Sequence, residues 1–216
     1  MIWPSDFNLD LFIEFDLVLD PYLEKVEKII DEYERMAEVE LLDKIRNAKI
    51  VPIDYLKDHD MEKKVLALQM FMFRRIMRYS FVTLLYSSVE VFAMRMCESH
   101  AKKHSQKDLV SDNSWRNTPF PNRVEKYLHK ALNLPTKSMP GEISNPIDDM
   151  RKVRNCITHC GGFIKYCKNR EDLRQLVCPG YKVNKAEIII LESEYCEYAL
   201  EKTKEFLTTF NQLLTD

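Results

Sequence analysis

The chain has only 4 glycines in 216 residues. So few argue against collagen, Gly-rich phosphate loops and turn-dense β-sandwiches. It has six cysteines (Cys97, Cys156, Cys160, Cys167, Cys178 and Cys196) but no CxxC pair, so no metal site is expected. The start, MIWPSDFNLDLFIEFDLVLD, has neither a basic n-region nor a small-residue cleavage site. That leads us to expect no signal peptide, a cytoplasmic location and free thiols. The apolar stretch Tyr79–Met94 is shorter than the about 20 residues that cross a bilayer, and arginines flank it, so no membrane span is expected. Walker and Rossmann motifs are absent, and His100 and His104 lack the glutamate of an HExxH metal helix.

A large net charge is also missing. Lys and Arg number 32 against 34 Asp and Glu. The balance hides a segregation: residues 1–62 carry a net −10, residues 63–183 a net +12 and residues 184–216 a net −4. A basic middle fits a polyanionic ligand. It fits equally well with acidic terminal helices packing beside it. With 45% hydrophobic residues and little net charge, the chain is not globally disordered, and its length suits one domain.

What the chain does have is helical pattern. A helix is expected from Pro21 to Ala48, with Asp20 as N-cap. Residues 49–60, which contain Pro52, read as a connector. Residues 61–103 contain neither Gly nor Pro and read as a long helix with room for a bend or break. Its segment Tyr79–Met94, apolar on most faces, is the expected centre of a bundle. Arg74, Arg75 and Arg78 form a basic step on it, read as an ion-paired or solvated face. Residues 105–145 read as irregular around a short helix near 122–132. Trp115, Arg116 and Phe120 there suit either base stacking or anchoring of a loop.

A compact helix is expected over Pro146–Cys160, with Asn145 as N-cap, Pro146 at the first position and Gly161-Gly162 as its stop. Residues 163–167 are expected to pair with 186–191 as a β-hairpin. Ser193 is expected to cap a last helix, 194–214. The expected fold is therefore mainly α, a bundle of four to five helices with a small β-hairpin before the C-terminal helix. Residues 1–216 form one domain in this reading, with an N-terminal helix and connector over 1–60 and the bundle over 61–216.

The 146–160 helix separates chemistry from packing. At about 100° per residue, Arg154, Thr158, Arg151, Asn155, Asp148 and His159 fall within one arc of about 140°, and Met150, Val153, Cys156, Ile157 and Cys160 fall opposite. Arg presents a planar fork suited to phosphate. His moves protons near neutral pH, and in a last helical turn the dipole favours the imidazolium. The same face could equally be an ion-paired surface. Cys160, about 100° away from His159, is poorly placed as a thiol nucleophile beside it.

The run Arg154-Asn155-Cys156-Ile157-Thr158-His159, followed by Gly161-Gly162, resembles the Arg-x4-His motif of HEPN domains. The resemblance implies a HEPN-like helical bundle over about residues 61–214 and a homodimer that joins two such helices in a composite cleft. It implies a metal-independent endoribonuclease that leaves 2′,3′-cyclic phosphate and 5′-hydroxyl ends. Arg154 would then hold the scissile phosphate, His159 would transfer protons, and Asn155 would fix the geometry. Arg151 would add an RNA contact, unless Asp148 takes it. Glu90 would orient Arg154, unless it pairs elsewhere. No cofactor is implied. A prokaryotic toxin–antitoxin or antiviral role is implied, with RNA as substrate and an antitoxin or defence protein as partner. Some members carry a Tyr two residues after the His, which the antitoxin modifies. Gly161 stands there in this chain, which argues against that form of control. The alternative is a non-catalytic HEPN-like module that dimerises or binds a partner or nucleotide.

Overall fold

A computed structural model describes residues 15–47, 53–105, 118–135 and 137–215; for residues 15, 16, 44–47 and 53–60 it describes the backbone alone. Among them the chain is mainly α, with one two-stranded antiparallel sheet just before the C-terminal helix.

Helix α1 spans Asp20–Asn47. Leu23, Val26, Ile30 and Ala37 recur at helical spacing and are buried. A π-helical turn, Phe15–Leu19, runs directly into α1, so Asp20 is not a cap as expected. Buried Leu19 anchors that turn in the core, and the Asp20 carboxylate accepts from Lys204 Nζ at 2.6 Å.

Helix α2 spans Ile53–Lys103. Its 51 residues would reach about 77 Å at ~1.5 Å per residue. With no Gly or Pro inside, no helical hydrogen bond is lost and no break occurs. The connector expected over 49–60 is thus helical from Ile53, and its residues 49–52 lie outside the described residues. The expected centre of the bundle holds: Phe81, Val82, Leu85, Val89 and Ala93 are fully buried. It is not covered on every side, since Leu84 and Val91 stay exposed.

The acidic α1 lies along the basic step of α2. Glu27 takes both the Nε and Nη2 donors of Arg78, at 2.8 and 2.6 Å, and Glu34 takes Arg74. The Tyr33 ring stacks on Phe73 with centroids 4.2 Å apart. Part of the charge segregation is therefore neutralised within the chain.

Helix α3, Asn122–Leu132, falls where expected and buries Val124, Tyr127 and Leu128. Asn133 ends it in the left-handed region at φ 53°. Phe120 before it is buried, edge-on to Tyr86 and Phe206, so it anchors a loop on the core. Trp115 and Arg116 lie outside the described residues.

Helix α4 spans Gly141–Cys160, five residues longer at its start than expected. Asn145 is not its cap, and Pro146 lies inside it. A proline so near the N-terminus removes one donor to the preceding turn. Buried Ile147 and Met150 hold the helix in place. The far end stops as expected: Gly161 adopts φ 58° and the amides of Gly161 and Gly162 both point to the Cys156 carbonyl.

Strand β1, Tyr181–Val183, pairs with β2, Ile189–Leu191, with Tyr181 opposite Leu191. The expected first strand, 163–167, is instead a single bridge from Phe163 to Ile188 followed by a 3-10 turn, Ile164–Tyr166. The fully buried Ile164 turns the chain inward, and its amide donates to the Glu187 carbonyl at 2.9 Å. A six-residue helix α5, Arg170–Gln175, was not expected. Helix α6, Ser193–Thr215, buries Tyr195, Ala199, Thr203, Phe206 and Phe210 against α2 and α4.

Candidate functional site

Helix α4 carries the Arg-x4-His run and sits between α2 and α6. Its apolar arc packs as the spacing requires: Met150, Val153 and Cys156 are buried, and Ile157 and Cys160 are partly buried. That packing fixes the rotation of the helix and so aims its polar arc.

The polar arc divides into two environments. Arg154 leans toward α2, where its guanidinium carbon lies 5.5 Å from the centre of the Tyr86 ring. Its Nη1 donates to Asn155 Oδ1 at 3.0 Å, and its Nε is buried without a hydrogen-bond partner. On the other side, Arg151, Asn155 and exposed His159 line a groove of about 520 Å³. Arg154 does not line this groove. One helix flank does hold both groups, but within one chain they open to different surroundings, and Asn155 is the residue that touches both.

The opposite wall of the groove comes from the segment after the glycines, with Tyr166, Lys168 and Asn169. Its volume falls in the range of about 300–1,000 Å³ common to small-ligand sites. Arg151 Nε donates to Asp148 Oδ1 at 2.8 Å, the pairing weighed against a ligand contact. Burial pulls Lys152 down, but Asp149 at 2.9 Å and Asp148 at 3.3 Å outweigh it and hold the ammonium above its ordinary value. Three thiols, Cys156, Cys160 and Cys167, complete the lining. Burial pushes the Cys156 and Cys167 thiols up, which keeps these two protonated and weakly nucleophilic at neutral pH.

Glu90 is bound elsewhere than to Arg154. Its carboxylate takes Arg123 Nη2 of α3, and Arg123 Nε donates to the Thr118 carbonyl at 2.8 Å. Between these groups stands Tyr86, buried, with its hydroxyl donating to the Phe120 carbonyl at 3.3 Å. Burial, and then the Glu90 charge, push that hydroxyl well above its usual value, against the pull of Arg151, Arg154 and Arg123. Sequence reasoning missed Tyr86 as a partner of Arg154 because nothing local in its helix marks it.

Arg75, the middle of the basic step, donates to the Gly161 carbonyl and lies 5.0 Å from the Tyr79 ring centre. It fastens the end of α4 to α2. His100 Nδ1 is 2.8 Å from the Tyr127 hydroxyl, and the His100 and His104 rings lie 4.3 Å apart. Among the described residues no three His, Cys, Asp or Glu side chains are grouped to hold a metal ion. Among them, too, no helix is long and apolar enough to cross a membrane.

Compared with known proteins, the chain matches no family model, no curated protein and no solved structure.

Proposed function

We propose that this chain is a metal-independent endoribonuclease of the HEPN type, active as a homodimer and serving a prokaryotic toxin–antitoxin or antiviral system. The observation that carries the reading is the exposed His159 beside a nucleotide-sized groove, joined through Asn155 to the Arg154 guanidinium.

The chemistry needs two functions. A 2′-hydroxyl attacks the neighbouring phosphorus and gives up its proton, while the bond to the 5′-oxygen breaks and that oxygen gains one. The products are a 2′,3′-cyclic phosphate and a 5′-hydroxyl. In this reading His159 moves the proton, and Arg154 balances charge on the phosphoryl oxygens. In one chain these groups face apart. A two-fold that sets α4 against its copy brings Arg154 of one protomer toward His159 of the other. Arg151 supplies a further phosphate contact once the phosphate competes with Asp148.

A second reading has its own support. Arg154 is already engaged by Tyr86 and Asn155, which suits a non-catalytic module that dimerises or binds a partner or nucleotide. RNA incubated with purified protein in EDTA separates the two. The enzyme cleaves, and His159→Ala and Arg154→Ala abolish the cleavage; the module leaves every RNA intact.

A further inference from the structure

Tyr166 stands at the groove with 68% of its surface exposed, although aromatic side chains are usually drawn toward the core. Its position is held on a fixed turn. The Tyr166 amide donates to the Phe163 carbonyl at 3.2 Å and the Cys167 amide to the Ile164 carbonyl at 2.9 Å. The bridge from Phe163 to Ile188 ties the turn to the hairpin. Lys165 Nζ sits 4.8 Å from the Tyr166 ring centre and 5.6 Å from that of Phe163. The Phe163 ring lies 6.1 Å from the Tyr166 ring, tilted by 54°, and most of the Tyr166 side chain stays open to a ligand beside Lys165 and Phe163. An exposed aromatic face held in advance costs little ordering on binding.

Chemistry around the ring fits a nucleotide. Lys168 lines the same groove, and no hydrogen bond or ion pair engages its ammonium among the described residues. Asn169, also in the lining, offers an amide with both a donor and an acceptor. Across the groove stand Asn155 and His159. A flat apolar platform, a free cation and an amide are the elements that hold an unpaired base and its phosphate.

We infer that Tyr166 is the stacking platform for an unpaired nucleobase next to the cleaved phosphodiester, with Lys168 on the adjoining phosphate, so that the groove takes single-stranded RNA. The inference rests on the groove being an RNA site. Stacking of this kind tolerates any base. Duplex RNA, whose bases are already stacked on each other, cannot use it.

The test separates binding from cleavage by using a fluorescein-labelled, single-stranded 2′-O-methyl oligoribonucleotide, which has no free 2′-hydroxyl to attack. Fluorescence polarisation is read for the wild type and for Tyr166→Ala, Tyr166→Phe and Lys168→Ala. The same probe is then made with an abasic residue at each position in turn. Tyr166→Ala should weaken binding about 5- to 150-fold, the range of one lost base stack, while Tyr166→Phe stays within about two-fold. One abasic position should weaken wild-type binding equally and weaken Tyr166→Ala no further. Equal affinity of Tyr166→Ala and the wild type would overturn the inference, and so would additive losses at every abasic position or a wild type that does not bind the probe. Cleavage of the all-ribose oligonucleotide, measured in parallel, reports on the ribonuclease reading by itself. Binding with the expected pattern but no cleavage would remove the enzyme and keep Tyr166 as a stacking platform for bound, uncleaved single-stranded RNA.

Discussion

Arg154 Nη1 donates to Oδ1 of its neighbour Asn155 at 3.0 Å, and Asn155 in turn lines the groove that holds His159. Asn155 therefore holds the guanidinium packed on Tyr86 and shares a groove with the exposed His159. Asn155→Ala should lower kcat for RNA cleavage about 10- to 100-fold, as expected for one hydrogen bond to a charged group. Asn155→Asp still accepts from Arg154 but places a negative charge in the groove, so its main effect should be a higher KM. Steady-state kinetics on both variants check this. Equal effects on kcat and KM in the two would contradict the link.

Glu90 should matter to folding and not to cleavage. It pairs with Arg123 across α2 and α3, away from Arg154. Glu90→Gln should reduce stability by roughly 1 kcal/mol, since the pair is partly exposed, and leave kcat/KM unchanged. Urea unfolding and the RNA assay read the two effects separately.

The two glycines that end α4 are not equivalent. A side chain on Gly162 would run into the Tyr79 hydroxyl, which donates to the Ile189 carbonyl at 2.6 Å, and φ there is 81°. A side chain on Gly161 meets only the Phe163 ring, at an ordinary 3.8 Å. Gly162→Ala should cost about 2–4 kcal/mol, from strain and crowding together, and Gly161→Ala about 1 kcal/mol. Chemical denaturation of both variants tests the ordering.

Burial, with His104 and Lys103 adding to it, holds His100 below its ordinary value, and Tyr127 is its hydrogen-bond partner. The unfolded chain then takes up this proton more readily than the folded one. The stability that neutral His100 contributes is fully present above about pH 6.5 and is lost as pH falls below it. Tm should drop between pH 7.5 and pH 5. In His100→Gln, which has no proton to take up, the drop should be smaller. Parallel Tm curves for the two proteins would rule out His100 as the cause.

What the sequence made legible was local. The end of α4 could be read because Gly161 supplies the left-handed φ that a helix stop needs, and α3 could be read within its own eleven residues. The start of α4 could not. Pro146 looks like a first helical position, yet a further turn precedes it, with Ile143 packed on the core and the Ile143 and Ser144 amides on the Pro140 carbonyl. Likewise Pro52 suggested a longer connector than the helix from Ile53 allows. The angle count put Arg154 and His159 within one arc of α4. It could not show that Tyr86 would draw the guanidinium aside, because that contact joins helices distant in sequence. Tyr166 escaped notice for a related reason: residues 163–167 read as a strand, whereas the structure folds Ile164–Tyr166 into a 3-10 turn with the Ile164 amide on the distant Glu187 carbonyl.

The most direct measurement is cleavage of a single-stranded RNA panel by the purified protein in EDTA, with the 3′ ends of the products identified. The expected result is 2′,3′-cyclic phosphate and 5′-hydroxyl ends from the wild type. Loss of activity is expected in His159→Ala and in Arg154→Ala, the latter by about 10²–10³-fold or more, as for removal of one charge-stabilising donor. Intact RNA with the wild type, or undiminished cleavage by either variant, would contradict the account.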